Sequence, residues 1–444
     1  MQKTIKIFFA LLFPVICSGQ SALLHQYLSA QQERIGFNGV VLVTKNGRTL
    51  YQEITGKASQ ELNVPMSPHA VFRIASISKQ FTAMLVTLAA QEGRLRLDDS
   101  LAVFFPALKD TLWRRISLKQ LLSHTSGVPH NEGITDYWIL KSRLPLSKEQ
   151  ALTEIFGMRL LFTPGTGMKY SSPAYFLLAC ILEAAYKRPY AAILEEKILQ
   201  PLQMKHTGVL TTGRIVPGMA SAYHLLNDSL IAAPHRDLSL MKGSGDLYST
   251  AEDLAKWNYS FSGNSTWNDN LQELLFTAHT QQTPAYGYGW FIRQGKRRAY
   301  FHGGGTFGCS AISAWYPDEK ISVVILSNVS VLPVNEMWSD IEKIIFNEPF
   351  ELKTDRAIQL SAGELQAFAG RYAQQSQELN IQLLEGRLYA KLGNNPAFEI
   401  FPEEKGRFFG KKVNVHFTFQ QDGEGNVMGV EAEARGERRY FKRE

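Results

Sequence analysis

The chain is 444 residues long, 45% apolar and 20% charged, with a formal charge of +6 that falls to +4 when Lys3 and Lys6 of an apparent leader are discounted. That length exceeds one ordinary domain, and the composition is that of a globular protein. So mild a charge gives no case for nucleic-acid binding, and three cysteines in so long a chain make no disulfide framework.

Residues 1–19 place Lys3 and Lys6 ahead of an apolar run, Ile7 to Ile16, and then Ser18-Gly19. This is the layout of a secretory signal peptide, too short to cross a bilayer. Cleavage after Gly19 is expected, which would make the mature protein periplasmic or secreted. Lipidation at Cys17 is the alternative, disfavoured by the large, branched Ile16 before it. No later stretch is apolar and long enough for a transmembrane span.

Gln20 to Arg34 has the pattern of a short amphipathic helix. Gly39-Val40-Val41-Leu42-Val43-Thr44-Lys45 and Arg48-Thr49-Leu50-Tyr51 flank the turn pair Asn46-Gly47, a strong hairpin signal. Ser76-Ile77-Ser78-Lys79 then opens an apolar run from Phe81 to Ala90 that reads as a buried helix ending at Gly93. Residues three apart share a helix face, so the Ser76 hydroxyl and the Lys79 amine would be neighbours. A serine needs a base to become a nucleophile, and a lysine whose pKa is lowered by burial can be that base. The bland alternative is a serine helix cap with a solvated lysine. Ser239-Leu240-Met241-Lys242 fits the same four-residue pattern but leads into Gly243-Ser244-Gly245, which reads as a flexible run.

Helical periods dominate to about residue 205, broken by loops at Ser123–Pro129 and Phe162–Gly167. Tyr170-Ser171-Ser172-Pro173 leads into another apolar helix, and a loop tyrosine there could pass protons to and from a leaving group. It could equally be an ordinary buried tyrosine. Strand character returns at Tyr286–Ile292, at Cys309–Tyr316 and, across the turn Pro317–Lys320, at Ile321–Leu326. The last two should pair antiparallel, because no helix separates them. Between strand-like runs lies Phe301-His302-Gly303-Gly304-Gly305-Thr306, where glycines could let a substrate approach an edge strand and His302 could offer a donor or positive charge. A flexible glycine turn is the alternative. For Cys180 and Cys309 the sequence leaves pairing open, and two buried free thiols are the favoured reading. No Cys/His cluster has metal-ligand spacing, so neither metal nor other cofactor is expected.

From about residue 355 the sequence alternates at period two between turns at Glu385-Gly386, Asp422-Gly423 and Gly436, with thirteen basic and thirteen acidic side chains. That pattern predicts a small antiparallel β domain, a barrel, over 355–444. The remainder, 20–350, should fold the N-terminal hairpin and the late strands into one antiparallel sheet flanked by helices, beside a mostly helical lobe. The class is α+β, and the seam between lobe and sheet is the natural cleft.

Taken together and in this order, Ser76-x-x-Lys79, Tyr170-x-Ser172 and the His302-Gly303-Gly304-Gly305 segment resemble the three motifs of the serine β-lactamase and penicillin-binding protein superfamily, especially its class C branch with DD-peptidases, D-aminopeptidases and lactamase-like esterases. The similarity runs from about Phe37 to Asn328 and includes Leu121–Gly127, Gly245–Leu254 and Tyr288-Gly289-Trp290. It implies that Ser76 is the acylated nucleophile, Lys79 its proton acceptor and Tyr170 the base and acid of acylation and deacylation. It also implies an oxyanion hole of the Ser76 and Gly305 backbone N–H groups, with His302 favouring an anionic substrate group and Gly303 and Gly304 leaving a roomy edge. His124 and Asp253 read as framework, and the C-terminal domain resembles lipocalin-like appendages of this superfamily. One position departs from the family: its second motif usually ends in asparagine, and here Ser172 stands there. A hydroxyl reaches a substrate's acylamide less well, so the expected activity is hydrolysis of an ester or a D-amino-acid peptide or amide, and less readily of a β-lactam. The alternative is a penicillin- or muropeptide-binding protein with little turnover.

Overall fold

A computed structural model describes residues 18–226, 229–263, 266–352, 357–375, 377–393, 397–411, 415–434 and 437–444. Apart from Ser18 and Gly19, the leader expected at 1–19 lies outside these residues. No helix among the described residues is long and apolar enough to cross a membrane.

The organising element is a seven-stranded sheet assembled from the N-terminal hairpin and five later strands. Its order is Ala285–Tyr286, Phe291–Arg293, Ala299–Thr306, Cys309–Tyr316, Ile321–Ser327, Gly39–Lys45 and Arg48–Thr55, with every neighbour antiparallel. The N-terminal hairpin joins the late strands as the sequence predicts, with Gly39 opposite Ser327 and Lys45 opposite Ile321. A continuous apolar strand such as Val40-Val41-Leu42-Val43 belongs where both sheet faces are covered, because successive side chains point to opposite sides. Val41 and Val43 accordingly enter one core with the helices Ser18–Ile35 and Val334–Ile345, while Val40 and Leu42 enter the other with the helical lobe.

Two buried helices form the centre of that lobe. Ser78–Gln91 is buried nearly all round and packs on Ser172–Tyr186, which is also buried along most of its length. The second begins cleanly. Ser171 caps it by accepting from the Ala174 N–H, and Pro173 occupies the first turn, where its missing N–H costs nothing. The last strands close into an eight-stranded antiparallel barrel from Gly370–Gln374 to Glu437–Arg443, where Tyr372 pairs with Arg443. Leu379, Ile381, Leu388, Phe417 and Phe419 alternate inward to fill it. The architecture is thus the expected α+β sheet and helical lobe with a C-terminal barrel. Cys180 and Cys309 are free and buried.

Candidate active site

Ser76 does not sit in the first turn of the α-helix but in a 3-10 turn, Ala75–Ile77, that feeds the helix beginning at Ser78. The turn is held from inside. Ser78 Oγ donates to the Ala75 carbonyl at 2.6 Å and accepts from the Leu247 N–H at 3.1 Å, and the Ile74 N–H donates to the Leu247 carbonyl. Ala75 has φ +43°, a left-handed conformation that a non-glycine residue holds only against strain. The result is an elbow that leaves Ser76 partly exposed above a buried helix.

Lys79 lies one helical turn on and has no exposed surface. Its Nζ is 3.1 Å from Ser76 Oγ, 3.1 Å from Ser172 Oγ and 2.7 Å from the Ser244 carbonyl oxygen. All three neighbours are neutral. Burial pushes its pKa well below that of an ordinary lysine, and the Arg236 guanidinium adds to the effect, against a smaller opposing pull from Asp246. Asp246 is itself buried and raised to about 7 by desolvation, which weakens it as a counter-charge near neutrality.

The Tyr170 ring lies 4.8 Å from Lys79 Nζ. Its hydroxyl is buried without a hydrogen bond of full geometry, and the Ser76 hydroxyl is the neighbour that pulls its ionisation downward. Desolvation is larger and raises the phenol above the ordinary tyrosine range. Burial thus favours the protonated phenol at Tyr170. Its ring is boxed by His124, with centroids 4.4 Å apart, and by Phe291 and His302 at 6.4 and 5.9 Å. His124 holds the same loop through its backbone and ring: its carbonyl accepts from the Lys169 N–H, and Nδ1 accepts from the Ser171 N–H at 3.2 Å. It is therefore a buried framework residue that positions Tyr170. Asp253 is likewise framework, accepting from the His206 N–H and the Thr207 hydroxyl.

Ser172 is turned toward the lysine instead of the open cleft. It is 1% exposed, with Oγ on Lys79 Nζ and its N–H donated to His130 Nδ1 at 3.0 Å. It thus supplies an acceptor to Lys79 instead of reaching into the cleft.

Strand Ala299–Thr306 forms the other wall. The preceding strand covers it only as far as Phe301, so His302 to Thr306 form a free edge on that side. Even-numbered residues face the lobe. His302 is 2% exposed, with Nε2 3.2 Å from the Tyr286 hydroxyl and Nδ1 2.6 Å from the Gly303 carbonyl. Desolvation, with Lys79 adding to it, lowers it to about 3, so it is neutral and supplies no positive charge to an anion. The glycines also differ from a roomy edge. A Cβ on Gly304 would lie 2.2 Å from the Ile74 carbonyl oxygen, so this glycine lets the turn that carries Ser76 dock on the strand. A Cβ on Gly303 would make ordinary contacts on the opposite sheet face, near Asn335, and only Gly305 opens onto empty space. Thr306 and Cys309 close the two-residue turn Phe307-Gly308. Counting back from that pair, alternate strand residues turn their N–H groups away from the neighbour, which directs the Gly305 N–H to the free edge beside the Ser76 turn.

Two contributors were not read from the sequence. Gly243-Ser244-Gly245 is no flexible run: Ser244 is fully buried and its carbonyl is the shortest contact of Lys79. The second is Arg236, 6% exposed, which donates to Thr306 Oγ1, the Tyr137 hydroxyl and Met241 Sδ. No motif surrounds it, and only the fold brings it to the end of the glycine strand. The serine and lysine of the second Ser-x-x-Lys match are engaged elsewhere. Ser239 Oγ accepts from the Leu146 N–H, and Lys242 pairs with Glu183 at 2.9 Å.

Residues 24–341 match the Beta-lactamase family model, and residues 354–443 match a domain of unknown function, DUF3471. The chain is similar to Penicillin-binding protein 4* of Bacillus subtilis (strain 168), 27% identical across 88% of this chain and 92% of that protein. Among solved structures, the octameric penicillin-binding protein homologue from Pyrococcus abyssi superposes with TM-score 0.67 at 21% identity, covering 95% of this chain and 99% of that one. A D-amino acid amidase from Ochrobactrum anthropi SV3 superposes with TM-score 0.64 at 22% identity over 74% of this chain and 99% of that chain.

Proposed function

The chain belongs to the beta-lactamase family, within the serine β-lactamase and penicillin-binding protein superfamily, and from that premise we propose that it hydrolyses an ester or a small amide through an acyl-enzyme on Ser76. The observation that carries this is the Lys79 amine, wholly buried and 3.1 Å from Ser76 Oγ with only neutral groups in contact. A neutral amine has two N–H donors and one lone pair. The Ser244 carbonyl and Ser172 Oγ take the two donors, which leaves the lone pair for the Ser76 proton.

Ser76 Oγ then bonds to the substrate carbonyl carbon while its proton moves to Lys79, and the Ser76 and Gly305 N–H groups receive the oxyanion. The Tyr170 phenol lies beside the resulting ammonium. It gives its proton to the departing oxygen or nitrogen as the carbonyl–leaving-group bond breaks, and recovers one from Lys79. Water repeats the sequence in reverse: its oxygen bonds to the acyl carbon, its proton passes to the Lys79–Tyr170 pair, and Ser76 leaves with a proton restored. The pair titrates as a unit. With Ser172 turned to Lys79, no side chain of the second motif reaches toward a β-lactam's acylamide, which supports ester or amide substrates over β-lactams.

Mass spectrometry of the protein with an activated p-nitrophenyl ester and with a fluorescent penicillin tests this. The expected result is a transient acyl adduct on Ser76 with steady release of p-nitrophenol, both lost in Ser76→Ala, where removal of a nucleophile costs about a millionfold in kcat. A stable penicillin adduct without ester turnover would support the binding-protein reading instead, and equal activity in Ser76→Ala would overturn both.

A further inference from the structure

We propose that Arg236 anchors a carboxylate carried on the acyl portion of the substrate. The inference rests on the assignment of Ser76 and Tyr170 above, because those residues give the cleft a direction. Tyr170 is the proton donor to the leaving group and lies against His302, so the leaving group occupies the His302 end of the edge strand. The oxyanion sits at Gly305. The acyl chain must therefore run the other way, past Thr306, and that is where the guanidinium is fastened.

Arg236 is buried with only neutral partners. It is 6% exposed, and among the described residues no carboxylate pairs with it. Its neutral partners leave Nε buried without a hydrogen bond. Buried arginines ordinarily have an anionic partner, and an unpaired one costs more than a paired one. The guanidinium instead lies near three aromatic rings, those of Tyr137, Trp138 and Phe307, at 5.7, 5.4 and 6.0 Å. Trp138 is 47% exposed and makes an edge contact with Phe307, two residues beyond Gly305. A cation at the end of an aromatic-walled strand edge suits an acyl group with a short apolar spacer and a terminal carboxylate, which the planar fork can receive. The same cation disfavours an acyl group carrying a free α-ammonium.

The test compares p-nitrophenyl monoesters of succinic, glutaric and adipic acids with p-nitrophenyl esters of the straight-chain monocarboxylic acids of the same length, after subtraction of spontaneous hydrolysis. In the wild-type enzyme the best diacid monoester should exceed its neutral counterpart in kcat/KM by at least about tenfold, as expected of a hydrogen bond to a charged group. Arg236→Gln should slow both, since Arg236 also acts on Lys79, but should shrink their ratio about tenfold. A wild-type ratio of one or less across the series, or a ratio that survives Arg236→Gln, overturns the proposal while leaving Ser76 as nucleophile. If the variant does not fold, the wild-type ratio decides alone. Absence of Ser76-dependent turnover of every ester overturns this inference together with the function it rests on.

Discussion

Gly304→Ala is the substitution that most directly tests how the nucleophile is placed. An added Cβ would lie 2.2 Å from the Ile74 carbonyl oxygen and 3.1 Å from its carbonyl carbon, and these are backbone atoms that cannot rotate away. Real Cβ contacts keep at least 3.0 Å, so strand and turn must part by several tenths of an ångström up to about 1 Å. That movement carries Ser76 away from Gly305, the two donors that must converge on one oxygen. A displacement near 1 Å costs on the order of a hundredfold in rate, or about 2.7 kcal/mol of transition-state stabilisation. Overpacking of this kind destabilises by about 1–3 kcal/mol. Gly303→Ala is the control: its Cβ would find its nearest atoms at 3.8 Å, on the face away from the turn. Steady-state kinetics on a p-nitrophenyl ester and thermal melts followed by circular dichroism give both quantities. We expect kcat/KM of Gly304→Ala to fall at least about thirtyfold further than that of Gly303→Ala. Equal losses in the two variants would show that docking of the turn on this glycine does not set the catalytic geometry.

Removing the hydroxyl in Ser172→Ala leaves the Lys79 N–H groups with one of their two acceptors, the Ser244 carbonyl, and the loss of one hydrogen bond worth about 1 kcal/mol should lower kcat/KM about fivefold. Ser172→Asn keeps an acceptor for Lys79 and adds an amide, so turnover of a chromogenic cephalosporin should rise relative to the ester; an unchanged ratio refutes that account of the departure. Because burial and Arg236 hold Lys79 below its usual pKa, activity should rise with pH as the amine loses its proton and fall away as acid restores it. Arg236→Gln removes a repelling cation, lets Lys79 keep its proton to higher pH, and should move the acid limb of kcat/KM in the alkaline direction; a limb that stays in place or moves toward acid contradicts the coupling.

Legibility in the sequence followed the range of the physics involved. The hairpin at Asn46-Gly47 and the antiparallel pair around Pro317–Lys320 were readable because turn chemistry and period-two alternation act over a few residues. The same holds for the barrel, whose inward positions recur at every second residue. The joining of hairpin and late strands was readable because uncovered edges and apolar faces have few partners. The exact form of the turn at Ser76 was not legible: the helix proper begins at Ser78, and Ser76 lies in a 3-10 elbow behind a left-handed Ala75. Its conformation is imposed by the Leu247 and Gly304 backbones, more than a hundred residues away. His302 illustrates the same limit in charge. Its sequence neighbours are glycines and look solvated, yet Tyr286, Phe291 and Tyr170 enclose it and remove the positive charge expected of it.

The two Ser-x-x-Lys segments show what the four-residue pattern lacks. Both place a serine in a 3-10 turn, and both carry a lysine three positions on. Lys242 follows its turn in a partly exposed position and pairs with the Glu183 carboxylate at 2.9 Å. Lys79 is taken inside the helix packing and meets two hydroxyls and a carbonyl. Asp246, the carboxylate that pulls the other way, is itself pushed up to about 7 by burial. Folding therefore favours the neutral amine without any general base adjacent to it. By linkage this group's contribution to stability is poorest at low pH, where the unfolded chain binds a proton the folded site resists, and it improves as pH climbs toward the ordinary lysine value. Reactivity at Ser76 and a local loss of stability are in this sense one property, produced by the apolar run from Phe81 to Ala90 that draws Lys79 out of water. A surface lysine at the same spacing, however well aligned with its serine, would lack it.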